Sequence, residues 1–246
     1  MDGTFVTELS DHFAEPIQIG KGFIARPNTW TVVDELSLVH PGPTPEPLKV
    51  YSLASVRDYL VANRDKLSLA DVVVHVVSPQ VVRVVGPLLE RSRNRELYLE
   101  AQAVNLTDNF IGRSLAIEDF IVGLQTRFVS TDDLKSVLRL FGNVKHEGVK
   151  TLTDDGVSQT VTAKAGITLV ENATVPNPIA LAAFRTFREV EQPASLFVLR
   201  VSGASNGQLT AALHEGDGGA WRITAVENIA RWLRVELGTI DVKVLA

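Results

Sequence analysis

The chain has 246 residues, of which 45% are hydrophobic and 22% charged, and it can bury the core of one large domain or two small ones. Its net charge of -5 and pI of about 5.6 disfavour a general nucleic-acid binder, whose surface is basic. The absence of cysteine excludes disulfides, thiolate nucleophiles and zinc–cysteine sites.

The N-terminal residues 1–29 show no firm periodicity and are interpreted as an arm, followed by a single domain over 30–246. The stretch MDGTFVTELSDHF is acidic and mixed, unlike a signal peptide with its basic start and apolar core. The most apolar run, 72–77, is far too short to span a bilayer. We therefore predict a cytoplasmic protein without a membrane partner. An arm of this kind can dock on its own subunit or on a neighbouring one.

The first part of the domain combines strands with one helix. Alternation over 30–40 predicts a strand, and the proline-rich stretch 41–47 predicts a long loop. Ser52 is the expected N-cap of a helix over 52–63. The almost continuously apolar run 71–78 indicates a fully buried strand, in which His75 is interpreted as a core residue rather than a ligand.

A concentrated basic patch lies between two strands that are predicted to pair, 81–85 and 96–104. It consists of Arg91, Arg93 and Arg95. These residues could contact phosphates, which dominate nucleic-acid affinity. A solvated hairpin tip needs no such partner, and no aromatic residues are interleaved to stack bases. The solvated tip is favoured, and nucleic-acid contact is the alternative.

Residues 115–142 have the pattern of a helix pair. Ser114 is predicted to cap the first helix, which places Ile117, Phe120 and Leu124 on one face. Thr131 is predicted to open the second helix, with two aspartates in its first turn and Gly142 as its stop.

A hairpin is predicted around Asp154, Asp155 and Gly156, because Asp-Gly between β-rich segments favours a tight turn. The two aspartates could instead be paired carboxylates for a metal or for acid–base chemistry. Turn chemistry alone selects these residues, so the hairpin is favoured. It is also a candidate for exchange between subunits.

The next strand is predicted over 179–187, with Phe184 and Phe187 in the core. Arg185 and Arg188 lie within or beside it and could hold an anionic ligand. Pairing with the nearby Glu189 and Glu191 is the favoured interpretation.

The best candidate cluster for chemistry is His214, Glu215 and Asp217, which follows the predicted strands 195–202 and 208–215. The H-E-x-x-H metal spacing is missing, and the glycine-rich loop after it lacks the lysine of a P-loop. A tight turn into an amphipathic helix over 224–237 is favoured, followed by a strand over 240–245.

Together these elements predict an α+β fold. It contains largely antiparallel β-sheets, a helix pair at 115–142 and a C-terminal helix at 224–237 packed against them, and an extended N-terminal arm.

Several stretches resemble a family of tailed-phage and prophage proteins of unknown function. The resemblance rests on IEDFIVGLQTRFV (117–129), DDGVSQ (154–159), VPNP (175–178), FRTFREVEQP (184–193) and GGAW (218–221). These stretches follow the family's order over about two-thirds of the chain. Relatives often carry an aromatic residue at the position of His214, which argues against a catalytic role there. The resemblance implies a phage origin and the cytoplasm of a host bacterium or a virion-like particle.

Three functions follow as hypotheses. The first is a non-catalytic, self-assembling protein, a shell-like or scaffold-like homo-oligomer without a cofactor. The alternative is an accessory protein of phage nucleic-acid metabolism that acts through the arginine patch. The third is an enzyme that uses Asp154, Asp155, Glu215 and Asp217 with a divalent cation on oxygen ligands.

Overall fold

The computed structural model describes residues 18–19, 22–23, 46–89, 93–147, 149–154, 159–165, 168–169, 173–175, 177–203 and 209–246. The chain divides into two compact units, residues 1–46 and 47–246. In the first unit, β1 (Gln18–Ile19) pairs antiparallel with β2 (Gly22–Phe23). The strand predicted at 30–40 and most of the predicted arm lie outside the described residues.

The second unit contains a five-stranded mixed sheet with the order β15-β4-β5-β6-β3. The strands are β3 (Leu48–Val50), β4 (Val73–Ser78), β5 (Val81–Leu88), β6 (Arg95–Gln102) and β15 (Lys243–Leu245). The predicted pairing of β5 with β6 is confirmed, and it is antiparallel. Two parallel pairs, β3 with β6 and β15 with β4, complete the sheet.

Two helices, α1 (Leu53–Ala62) and α4 (Trp221–Glu236), pack on one face of this sheet. Leu53, Val74, Leu99, Ile229 and Leu233 belong to the core between them. Ser52 caps α1 as predicted, because its Oγ accepts a hydrogen bond of 3.1 Å from the Ser55 N–H.

The prediction that strand β4 is fully buried is wrong. Val74 and Val76 are buried, whereas His75 is half-buried and Val77 is exposed. Successive side chains of a strand face opposite ways, and only one face of this strand lies in the core. His75 lies opposite Arg83 on the other face, so it is not the core residue that the sequence predicted.

A four-stranded antiparallel sheet has the order β12-β13-β14-β7. Its strands are β7 (Leu115–Ala116), β12 (Ile179–Ala182), β13 (Ala194–Gly203) and β14 (Leu209–Glu215). The predicted helix pair, α2 (Ile117–Arg127) and α3 (Asp132–Glu147), shares a phenylalanine-rich core with this sheet.

The ends of this helix pair differ from the predictions at two positions. Ser114 is not the cap of α2, because Leu115 and Ala116 pair with β14 before the helix begins. Thr131 does open α3, since its Oγ1 accepts a hydrogen bond of 3.2 Å from the Leu134 N–H. Gly142 does not end α3, because the helix continues to Glu147 and tolerates one glycine.

The predicted hairpin consists of β8 (Val149–Asp154) and β9 (Gln159–Ala165), which pair antiparallel with Asp154 opposite Gln159. Its turn, including Asp155 and Gly156, lies outside the described residues. Two short strands, β10 (Thr168–Leu169) and β11 (Ala173–Val175), also pair with β9.

The fold is therefore α+β, as predicted, with one mixed and one antiparallel principal sheet. Helix α4 is confirmed and begins three residues before the predicted start. The strand predicted at 179–187 is limited to β12. Phe187 is buried as expected, but Phe184 is half-buried.

In the described part of the chain, none of the helices has both the length and the apolar character needed to cross a bilayer.

Candidate functional site

The chemically most distinctive place in the second unit is a buried arginine. Arg185 follows β12 and is only 1% exposed. Its Nη1 donates a hydrogen bond to Glu215 Oε1 at the end of β14, and its Nη2 donates one to Ser195 Oγ on β13. The guanidinium carbon lies 3.7 Å from the ring centroid of Trp221, the first residue of α4. We call Arg185, Ser195, Glu215, Asp217 and Trp221 the arginine centre.

The backbone around Arg185 is held by amide side chains. Gln192 Oε1 accepts a hydrogen bond of 3.1 Å from the Arg185 N–H, and Gln192 Nε2 donates one of 2.8 Å to the Phe187 carbonyl. Gln80 Nε2 donates one of 2.9 Å to the Arg185 carbonyl. Because Gln80 precedes β5, this contact joins the arginine centre to the mixed sheet.

Burial lowers the pKa of Arg185 to about 10, and the neighbouring carboxylate of Glu215 opposes that shift. The guanidinium therefore stays protonated at neutral pH. It is a permanent cation that donates hydrogen bonds but does not release a proton. Its attraction to Glu215 and its stacking on Trp221 stabilise a charge that burial alone would disfavour.

Asp217 caps the turn that leads into α4. Desolvation favours the neutral form of the Asp217 carboxyl and so raises its pKa. The net shift is nevertheless downward, because the carboxylate accepts hydrogen bonds from the Gly219 N–H, Ser195 and the Trp221 N–H and is attracted by the charge of Arg185. The Asp217 Oδ1 to Gly219 N distance is 2.9 Å. Asp217 thus joins the arginine centre to the first turn of α4.

This geometry predicts how Asp217 contributes to stability as the pH changes. A carboxyl whose pKa is lower in the folded state stabilises the protein above its unfolded pKa of about 3.9, and the contribution is lost as the pH falls through the folded pKa. We expect Asp217→Asn to be less stable than the wild type at pH 7 and the difference to shrink towards pH 2. Urea unfolding at several pH values measures this, and a pH-independent difference would contradict it.

The structure divides the predicted cluster of His214, Glu215 and Asp217. Glu215 and Asp217 meet at Arg185, whereas His214 is exposed and points to the opposite face of β14. Among the described residues, no three His, Asp or Glu side chains are grouped closely enough to hold a metal ion.

The predicted pairing of Arg185 and Arg188 with Glu189 and Glu191 is wrong for Arg185, whose partner is Glu215. Arg188 lies over the ring of Phe184, at 3.8 Å from its centroid. Glu189 Oε1 instead accepts a hydrogen bond of 3.1 Å from the Ala54 N–H in the first turn of α1. Sequence proximity suggested the pairs, but the observed partner of Arg185 is 30 residues away in the chain.

Two of the three residues of the predicted basic patch are described: Arg93 lies in the β5–β6 connection, and Arg95 is the first residue of β6. Arg93 and Arg95 are exposed, and Arg95 Nη1 donates a hydrogen bond of 3.0 Å to the Gly86 carbonyl. Arg91 lies outside the described residues. The nucleic-acid role of this patch stays a prediction.

A groove of about 830 Å³ runs along α4 and past the end of β4. We call it the α4 groove. Its apolar lining was not anticipated from the sequence and consists of Val77, Pro79, Ile223, Val226, Ala230 and Val235. Its charged side chains are Arg222, Arg231, Arg234 and Glu227.

The lining of the α4 groove includes large apolar side chains that are open to solvent. Val235 is 73% exposed and Ile223 is 68% exposed. The amphipathic pattern of α4 could have suggested this surface, because isoleucine and valine interrupt its polar face. Neighbouring apolar groups of this kind on a protein surface are typical of interaction sites.

Comparison of the chain with protein-family models, with curated proteins and with solved structures finds no match. The resemblance to phage proteins accordingly stays a prediction that rests on the five sequence stretches quoted above.

Proposed function

We propose that this chain is a non-catalytic, self-associating protein of phage or prophage origin, which forms a homo-oligomer of shell-like or scaffold-like character in the host cytoplasm. The observation that carries the proposal is the α4 groove with its exposed Ile223 and Val235. Burying apolar surface yields about 25 cal/mol per Å², which favours covering these side chains by association.

One edge of the mixed sheet supports the same proposal. Among the described strands, β15 has β4 as its single partner, and Leu245 on it is 50% exposed. An edge strand offers unpaired backbone groups to another chain. Ala246, directly after β15, lines the α4 groove, so this edge and the groove form one continuous surface.

The arginine centre supports the non-catalytic part of the proposal. Glu215 and Asp217 are the carboxylates that the sequence nominated for chemistry, and both interact with the fixed cation of Arg185. Ser195 Oγ accepts a hydrogen bond from the same guanidinium. These contacts hold a turn and a helix start in place.

The test is size-exclusion chromatography with light scattering on the full chain at micromolar concentration. We expect a discrete species heavier than one 26.8 kDa protomer, with a protein-only ratio of absorbance at 260 and 280 nm. Ile223→Asp should weaken association at least about tenfold, because it places a charge in an apolar contact. An acidic residue in the first turn of α4 is favoured by the helix dipole, so unfolding does not explain such a loss.

Val122→Asp is the matched control, since Val122 is 47% exposed on α2, away from the α4 groove. It should leave the mass of the oligomer unchanged. A sharp monomer of the wild type would contradict self-association itself. An oligomer that Ile223→Asp leaves intact would place the contact elsewhere, and co-eluting nucleic acid would favour the arginine patch.

A further inference from the structure

The β15 edge of the mixed sheet carries a short sequence that is complementary to itself. Three apolar side chains of this segment pack against the core of the sheet: Ile240, Val242 and Val244. The residues that alternate with them are exposed: Asp241, Lys243 and Leu245. The period of two places an acid and a base two residues apart on the open face of the edge.

The outer side of this segment faces no other strand among those that the structure describes. β15 pairs parallel with β4, with Val244 opposite Val74, and β4 is its single described partner. The Val242 N–H donates a hydrogen bond of 3.0 Å to the Ile240 carbonyl, so this group is already satisfied. An edge strand of this kind is a template for pairing with another chain.

Charge selects one register for an antiparallel pairing of two copies. When Val242 lies on the two-fold axis, Asp241 of each copy lies opposite Lys243 of the other. Side chains directly opposite each other have Cβ atoms about 4.5–5.5 Å apart, and opposite charges at this distance are stabilising. Because the axis repeats the pair, the contact contains it twice.

The neighbouring registers lack this complementarity. With Lys243 on the axis, the two ammonium groups would face each other, and like charges directly opposite are destabilising. With Val244 on the axis, Lys243 would face the apolar Leu245. The satisfied Val242 N–H also favours the first register, because Val242 then occupies a non-hydrogen-bonded pair and needs no backbone bond across the axis.

We propose that two copies of this chain pair antiparallel along residues 240–244, with Val242 on the two-fold axis and Asp241 of each copy against Lys243 of the other. The two mixed sheets then form one continuous sheet. This inference rests on the self-association proposed above and names the contact that the sheet edge makes. Such a contact uses the same surface on both copies and closes as a dimer.

Single cysteines test the register, because the chain contains no cysteine of its own. Val242→Cys places the two new thiols across the axis, where the Cα separation falls in the range of about 4.4–6.8 Å that a disulfide spans. Mild oxidation of the full chain should therefore give a covalent dimer on a non-reducing gel. Leu245→Cys is the matched control, since three residues on each side of the axis separate its two Cα atoms by roughly 20 Å.

A charge exchange tests the pairing independently. Asp241→Lys sets base against base and Lys243→Asp sets acid against acid, so each should weaken association at least about tenfold. The chain with both changes should regain wild-type association, and an equimolar mixture of the two single variants should pair. Light scattering over a dilution series at roughly 50 mM salt measures this, because exposed charges are screened beyond about 10 Å at 0.1 M. Circular dichroism checks that each variant keeps the fold.

The outcomes separate this inference from the proposed function. A wild type that is monomeric contradicts both. A wild-type oligomer in which Val242→Cys cross-links no better than Leu245→Cys overturns the inference and leaves self-association standing. The inference also fails if neither single charge variant weakens association, or if the chain with both changes does not recover it.

Discussion

Arg185→Ala should lower the free energy of unfolding by about 2–5 kcal/mol, the range for truncating a large buried side chain to alanine. The change deletes hydrogen bonds to Glu215 and Ser195 and the stacking on Trp221, and it leaves a cavity at a residue that is 1% exposed. Chemical denaturation followed by circular dichroism measures the loss.

Arg188→Ala is the control for this variant. Arg188 is three residues away, is exposed and contacts the ring of Phe184, so its removal should cost less than about 1 kcal/mol. Arg185→Lys should still be clearly destabilising, because an ammonium lacks the planar guanidinium that stacks on Trp221 while it donates to Glu215 and Ser195. Equal stabilities of Arg185→Ala and Arg188→Ala would contradict the role given to the arginine centre.

Gly123→Ala should destabilise the protein by about 2 kcal/mol, although alanine is the better helix former. A Cβ at Gly123 would lie 2.0 Å from Phe110 Cε2, closer than any real contact. Phe110 cannot move aside easily, because it is 1% exposed, stacks on Phe120 and contacts the edge of Phe128. The midpoint of urea unfolding measures the loss.

The same substitution at Gly142 should have the opposite sign. Gly142 lies inside α3, and a Cβ there would meet nothing within 4 Å. Gly142→Ala should therefore stabilise the protein by about 0.5–1 kcal/mol through helix propensity alone. If both alanine variants shift stability in the same direction, the close packing of α2 on Phe110 is not what restricts Gly123.

The two predictions concern different places in the second unit. Gly123 lies in the phenylalanine-rich core between the helix pair and the antiparallel sheet. Arg185 lies at the edge of that core, where its carbonyl contacts Gln80 from the mixed sheet. Loss of Arg185 should therefore also weaken the support of the first turn of α4, and with it one end of the α4 groove.

Much of the local structure could be predicted from the sequence. The apolar stripe at 117–124 and the threonine before two aspartates at 131 each favoured a helix through interactions between near neighbours. The β-rich segments around 154–156 predicted the antiparallel pairing of β8 with β9. Such signals depend on residues within one or two turns of chain. They gave the helix pair, α4 and most of the antiparallel strands, and hence the α+β class.

Other features depended on contacts between distant parts of the chain. The sequence offered Glu189 and Glu191 as partners for Arg185, whereas the observed partner is Glu215, 30 residues away. Val77 belongs to a continuous valine-rich run, yet it is exposed, because only one face of β4 meets the core. A composition pattern does not specify which face of a strand another element will cover.

The sequence by itself therefore determined most of the helices and antiparallel strands, the fold class and the list of candidate residues, since these follow from local periodicity and turn chemistry. Only the tertiary structure decided which candidates meet: Glu215 and Asp217 lie at Arg185, and His214 lies away from them. It also decided that Ile223 and Val235 share one groove with Arg231 and Arg234. The physical reason is that burial and charge pairing depend on three-dimensional neighbours, and packing selects these across large separations in sequence.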